Sequence, residues 1–178
     1  MDEKIIFAII DHLAFVVLFL GLIISWRDPF ARWLLLSYTV IEIIEFLTFS
    51  EVYTWKVHFY LFEVFMCFLF MTPIVFRRPM ALFCYRNTQQ VFFLNVAERT
   101  ILSRYEVRFL QLLAAAALVN FITWIEVLCY KYWIIDNAFI KLYFRNYFIA
   151  CVILAQCAAI YALSMYTLTL KPETKKCI

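Results

Sequence analysis

The chain has 178 residues, 66% of them hydrophobic and 20% aromatic, with a mean hydropathy of +0.85 and a formal net charge of +3. A soluble domain is about half apolar, and a water-soluble fold of this length has too little interior to hide the excess, so the composition points to an all-α integral membrane protein. A β-barrel would need many alternating segments of about ten residues, and the sequence offers long unbroken apolar runs instead.

The first run, 5–25, follows the net acidic "MDEK" and lacks an A-x-A pattern, so it is expected to be a retained span and not a cleaved leader. Runs at 33–52 and 57–76 supply the second and third spans, each long enough for a hydrocarbon core of about 30 Å. The segment 77–107 is polar and Arg-containing, includes "RNTQQ", and is not counted as a span. Its second part, "VFFLNVAERTILSRYEVR", is expected to form an amphipathic helix on the membrane surface, with a β-hairpin turning at "RNTQ" as the alternative. Spans four and five follow at 108–130 and 143–169, giving a single polytopic domain over 1–178 with five transmembrane helices. The closing "KKCI" does not fit a C-a-a-X lipidation signal, because Cys177 is next to last.

Lys and Arg set the expected orientation. Eleven fall on one side of this topology: Arg27, Arg32, Arg77, Arg78, Arg86, Arg99, Arg104, Arg108, Lys171, Lys175 and Lys176. Five fall on the other: Lys4, Lys56, Lys131, Lys141 and Arg145. The basic side is expected in the cytoplasm of a cell (inner) membrane, with the N-terminus outside and the C-terminus inside. Arg77, Arg78, Arg99, Arg104 and Arg108 are candidate contacts for lipid headgroups or a cytoplasmic protein partner.

Gly21 is the only glycine, so Gly-x-x-x-Gly packing is impossible and alanine must take its place. "AAAA" at 114–117 gives the fourth span a small face, and in the fifth Ala155, Ala159 and Ala158, Ala162 recur at four-residue steps. These two helices are expected to approach each other, or a second copy, closely. The six cysteines include no C-x-x-C and are expected to pack as small residues, not to form disulfides or a zinc site. "EFLTFSEVYTWK" (45–56) and "NFITWIEVLCYK" (120–131) match at five positions in twelve, which raises a two-helix repeat or a chance similarity.

Five acids fall inside predicted spans: Asp11, Glu42, Glu45, Glu63 and Glu126. An acid at the centre of a span costs about 2.5–3.5 kcal/mol, so each must face the bundle interior, water or a partner. Glu42 and Glu45 share a helix face on which Tyr38 can reach Glu42. With Asn120 in mid-span, these groups are candidates for a cation or proton path in the outer half of the bundle. The opposing expectation is that Lys56, Lys131, Lys141 and Arg145 pair with Glu45, Glu63 and Glu126 and fasten the helices together. His12 and His58 are weak metal or heme candidates, since they lie at different depths.

No Walker A loop, G-x-S-x-G, H-E-x-x-H or D-x-D motif occurs, and no arginine ladder. The expectation is therefore a non-enzyme without a cofactor or nucleic-acid partner. It would act as an oligomeric or accessory subunit of a membrane complex. The alternative is a proton- or cation-conducting oligomer that uses the acidic cavity.

Overall fold

A computed structural model describes residues 3–98 and 101–169, with side chains described at residue 10 and from residue 13 onward within those ranges. Among the described residues the chain is helical throughout, without a strand. Helix α1 covers Glu3–Ile24. The reversal after it is written in Asp28-Pro29. Asp28 adopts an extended conformation and its carboxylate accepts from the Phe30 N–H at 3.2 Å, while Pro29 has no N–H to leave orphaned. Helix α2, Pro29–Tyr53, therefore starts four residues before the apolar run that announces it, with Arg32 inside its first turn.

After a turn through Lys56, helix α3 runs Phe59–Val75. Near its end the Trp33 indole N–H donates to the Pro73 carbonyl at 3.0 Å. At Phe76 the chain breaks and α4, Arg77–Thr88, leaves at 72°. Gln89, left-handed at φ 56, ends α4, and α5 covers Val91–Glu98. The described residues of 77–107 thus form two short helices and the first turn of α6, where the sequence suggests one longer surface helix or a hairpin. Gln89 separates the two, and a capping box begins α6 within the stretch expected as one helix. The Ser103 hydroxyl accepts from the Glu106 N–H at 3.2 Å, the Glu106 carboxylate accepts from the Ser103 N–H at 2.6 Å, and both lock the start of α6.

Helix α6 spans Arg104–Lys131. A loop with Trp133 left-handed at φ 60 leads to one wide π-helical turn, Ile140–Phe144, that continues into α7, Arg145–Thr169. With Gly21 as the only glycine, Lys56, Gln89 and Trp133 adopt the left-handed conformation that glycine otherwise supplies.

Three helices are long and apolar enough to cross a membrane: α2, α6, and the π turn together with α7; the bent α3–α4 pair makes a fourth if counted as one span. Helix α1 contributes a described apolar stretch, Leu13–Ile24, that is shorter than a span. The chain's reversals place the end of α1, the start of α2, α4, α5, the start of α6 and the end of α7 together at one end, called here the basic end.

Helix α1 packs on α7 and α2, α3 on α6, and α6 on α7. Gly21 sets the α1–α7 approach, since a Cβ there would stand 2.5 Å from the Ile160 Cγ2. Ala159 shares that contact, buried with Leu18 and Leu22 of α1. Helices α6 and α7 meet elsewhere, where Ala116 and Ala117 pack with Val152 and with Val64 and Cys67 of α3. The α4–α5 hairpin seats Ala81, Val96 and Ala97 around Trp33 of α2. A repeat relating α2–α3 to α6–α7 by a two-fold axis would make the α2–α7 contact equal to α3–α6. The latter is the most extensive helix contact in the molecule and the former among the smallest.

Candidate functional site

On α2 the buried Leu34, Leu35, Ile41 and Val52 and the half-buried Tyr38, Glu42, Glu45 and Thr48 recur at helical spacing. They form the inward stripe of the helix, so both acids face the bundle. The Tyr38 ring lies 4.4 Å from that of Phe70 and 5.8 Å from that of Phe109, and its hydroxyl crosses to α7 to donate to Gln156 Oε1 at 3.0 Å. Tyr38 is thus held to a neighbouring helix, where the sequence suggested Glu42, because ring packing between helices sets its direction. Cys67 of α3 and Cys157 of α7 are buried free thiols. Glu63 of α3 is half-buried like the two acids of α2.

Arg145 answers part of that charge. Its Nη2 lies 3.8 Å from Glu63 Oε2, with side chains only 13% and 17% exposed. Its Nε donates to Asn120 Oδ1 at 2.8 Å, and Asn120 is 1% exposed. The guanidinium sits 4.9 Å from the Tyr60 ring centroid and 5.5 Å from that of Phe59. A desolvated cation is tolerated when ion pair, hydrogen bond and ring face all engage it. Arg145 also follows the π turn, donating its N–H to the Ile140 carbonyl five residues back. That wide turn shifts side-chain register relative to an α-helix at the point where Arg145 faces inward.

Glu126 does different work. Its two carboxylate oxygens accept the backbone N–H groups of Ile140 and Lys141 at 2.7 and 2.9 Å. Orphan donors at the start of the α7 segment are thereby satisfied by an acid on α6, and the positive end of the helix dipole favours that charge. The expected lysine partners for Glu126 are replaced by backbone.

Asp11 and His12 lie outside the residues whose side chains are described, as does Arg99. His58 is exposed at the start of α3 and makes no side-chain capping bond. Among the described residues no group of three or more His, Cys, Asp or Glu is arranged to hold a metal ion. Ala155 and Ala162 are half-buried, Ala159 is buried and Ala158 is exposed, so the small face of α7 serves α1 through Ala159. Ser25, just after α1, extends that contact with a buried hydroxyl cluster, donating to Ser164 at 3.3 Å and accepting from Thr167 at 3.4 Å.

At the basic end Arg77 departs from its neighbours. It is 4% exposed, ion-paired with the equally buried Glu106, and donates to the Ile101 carbonyl at 3.3 Å. It joins α4 to α6 inside the protein, whereas Arg78, Arg104 and Arg108 are exposed. The role of Glu106 was available in the sequence as Ser103-x-x-Glu106, a capping-box pattern. Gln156 had no such signal.

No protein-family model, curated protein or solved structure matches the chain.

Proposed function

We propose that this chain is a five-span membrane subunit, with its basic end in the cytoplasm of a cell (inner) membrane, that works by assembling with itself or with a larger membrane complex. The 22 residues of α1 measure about 33 Å at 1.5 Å per residue, enough for a fifth span. Five spans put the termini on opposite sides, and in that topology the basic residues divide eleven to five, with the basic side expected in the cytoplasm.

The observation that favours the assembly reading over conduction is the Glu63–Arg145–Asn120 cluster. It ties α3, α6 and α7 together with groups that a conducting path would need free. Glu126 is likewise engaged as a helix cap. The alternative, a proton or cation path, draws support from Glu42 and Glu45 lying half-buried on the inward stripe of α2, with Glu63 half-buried on α3.

The Glu63→Gln variant separates the two readings. If the cluster is structural, the variant strands Arg145, and the detergent-solubilised protein loses a few kcal/mol of stability, as when one member of a buried pair is removed. Glu63→Gln with Arg145→Met then recovers much of the loss. Proteoliposomes containing the wild type should pass protons and monovalent cations no faster than empty ones. Wild-type flux that Glu63→Gln abolishes without loss of stability would instead establish conduction.

A further inference from the structure

The surface cations differ in kind between the two ends. Every described cation at the basic end is an arginine, whereas Lys56, Lys131 and Lys141 are the exposed cations at the other. Arg27, Arg78, Arg86, Arg104 and Arg108 are exposed, and no described acid forms an ion pair with them. The acids at this end are largely occupied: Asp28 caps α2 and Glu106 holds Arg77, which leaves Glu98 exposed among the described residues. Arginine presents a planar fork of donors that matches phosphate oxygens, which the point charge of lysine does not.

Apolar groups stand among these arginines. Phe83, 68% exposed, lies between Arg78 and Arg86 on α4, Trp26 precedes Arg27, and Ile101 is 76% exposed just before α6. These apolar groups flank the arginines at the level where the apolar spans end. The interface of a bilayer takes both, with side-chain stems and rings among the acyl chains and guanidinium groups at the phosphates. Geometry agrees, because α4 leaves α3 at 72° and so runs close to the membrane plane when α3 crosses the bilayer.

We infer that the five arginines and the α4–α5 hairpin form a belt that binds the phosphate headgroups of anionic lipids in the leaflet at the basic end. The inference rests on the membrane reading proposed above. Each arginine near an anionic surface multiplies lipid partitioning by roughly five-fold, so a pair contributes roughly 25-fold at low salt.

The test is reconstitution into vesicles of phosphatidylcholine with a minor fraction of phosphatidylglycerol, followed by gentle extraction and measurement of the two lipids that remain with the protein. The wild type should carry phosphatidylglycerol well above its bulk fraction. Arg78→Gln with Arg86→Gln should lose most of that enrichment, Lys56→Gln with Lys131→Gln should keep it, and inorganic phosphate should not displace the lipid. Enrichment that survives the arginine changes, falls equally with the lysine changes, or never occurs would overturn the belt. Carbonate extraction from pure phosphatidylcholine vesicles checks the underlying reading. Release of the wild type would remove both proposals, whereas firm integration without enrichment would remove the belt alone.

Discussion

Replacing Gly21 with alanine sets two effects of known sign against each other. Alanine favours helix over glycine by about 1 kcal/mol. Against this, the new Cβ would stand 2.5 Å from Ile160 Cγ2, 3.2 Å from Ser164 Oγ and 3.6 Å from Leu35 Cδ1. Carbon atoms pack best at about 3.5–4.0 Å, so the first contact overlaps by roughly 1 Å. Ile160 is 3% exposed, and its Cγ2 is fixed to a branched Cβ whose rotamer the helix dictates. It cannot swing aside, so the helices must separate, and overpacking of this kind costs about 1–3 kcal/mol. The net expectation is a loss of roughly 1 kcal/mol, read as a lower unfolding midpoint in an SDS titration of the detergent-solubilised protein. Ile160→Leu removes Cγ2 at constant volume and should rescue Gly21→Ala, with a coupling of about 1 kcal/mol in the double-mutant cycle. A Gly21→Ala protein more stable than the wild type, or one that Ile160→Leu does not rescue, would refute the close contact.

The buried Arg77–Glu106 pair makes a larger prediction: Arg77→Met should destabilise by about 3–5 kcal/mol in the same titration, and adding Glu106→Gln should recover most of it, because the amide oxygen still caps Ser103. Glu126→Ala should cost about 2 kcal/mol and remove hydrogen-exchange protection from the Ile140 and Lys141 amides, with Glu126→Gln intermediate.

What the sequence made legible was the long apolar helices and the inward direction of the acids on α2. Apolar runs located the helices, and the spacing of Tyr38, Glu42 and Glu45 put both acids on the inner stripe of α2. Helix starts were less visible, because Asp28-Pro29 and Ser103-x-x-Glu106 act through caps that hydropathy does not register. Partners across helices were the hardest to read. Periodicity tells which side of a helix faces inward but not which neighbour it meets, so Tyr38 found Gln156 and Ala159 found α1. Glu126 was hidden for another reason. Its ligands are backbone N–H groups, which every residue but proline carries and no sequence pattern marks. Arg145 stood at the edge of the fifth run, and the π turn that extends the helix beyond it has no signature in hydropathy.

The order in which the chain is made gives the Arg145 cluster a temporal side. Glu63 emerges from the ribosome first, then Asn120, and Arg145 only 25 residues after that. In a protein inserted helix by helix, the carboxylate and the amide enter the lipid before their cation exists, and an acid in that setting costs about 2.5–3.5 kcal/mol until it is neutralised or matched. In that order of insertion, the ion pair and hydrogen bond that Arg145 makes with Glu63 and Asn120 form only when α7 arrives. On the membrane reading proposed above, the cluster is a contact that only the last helix to be made can complete.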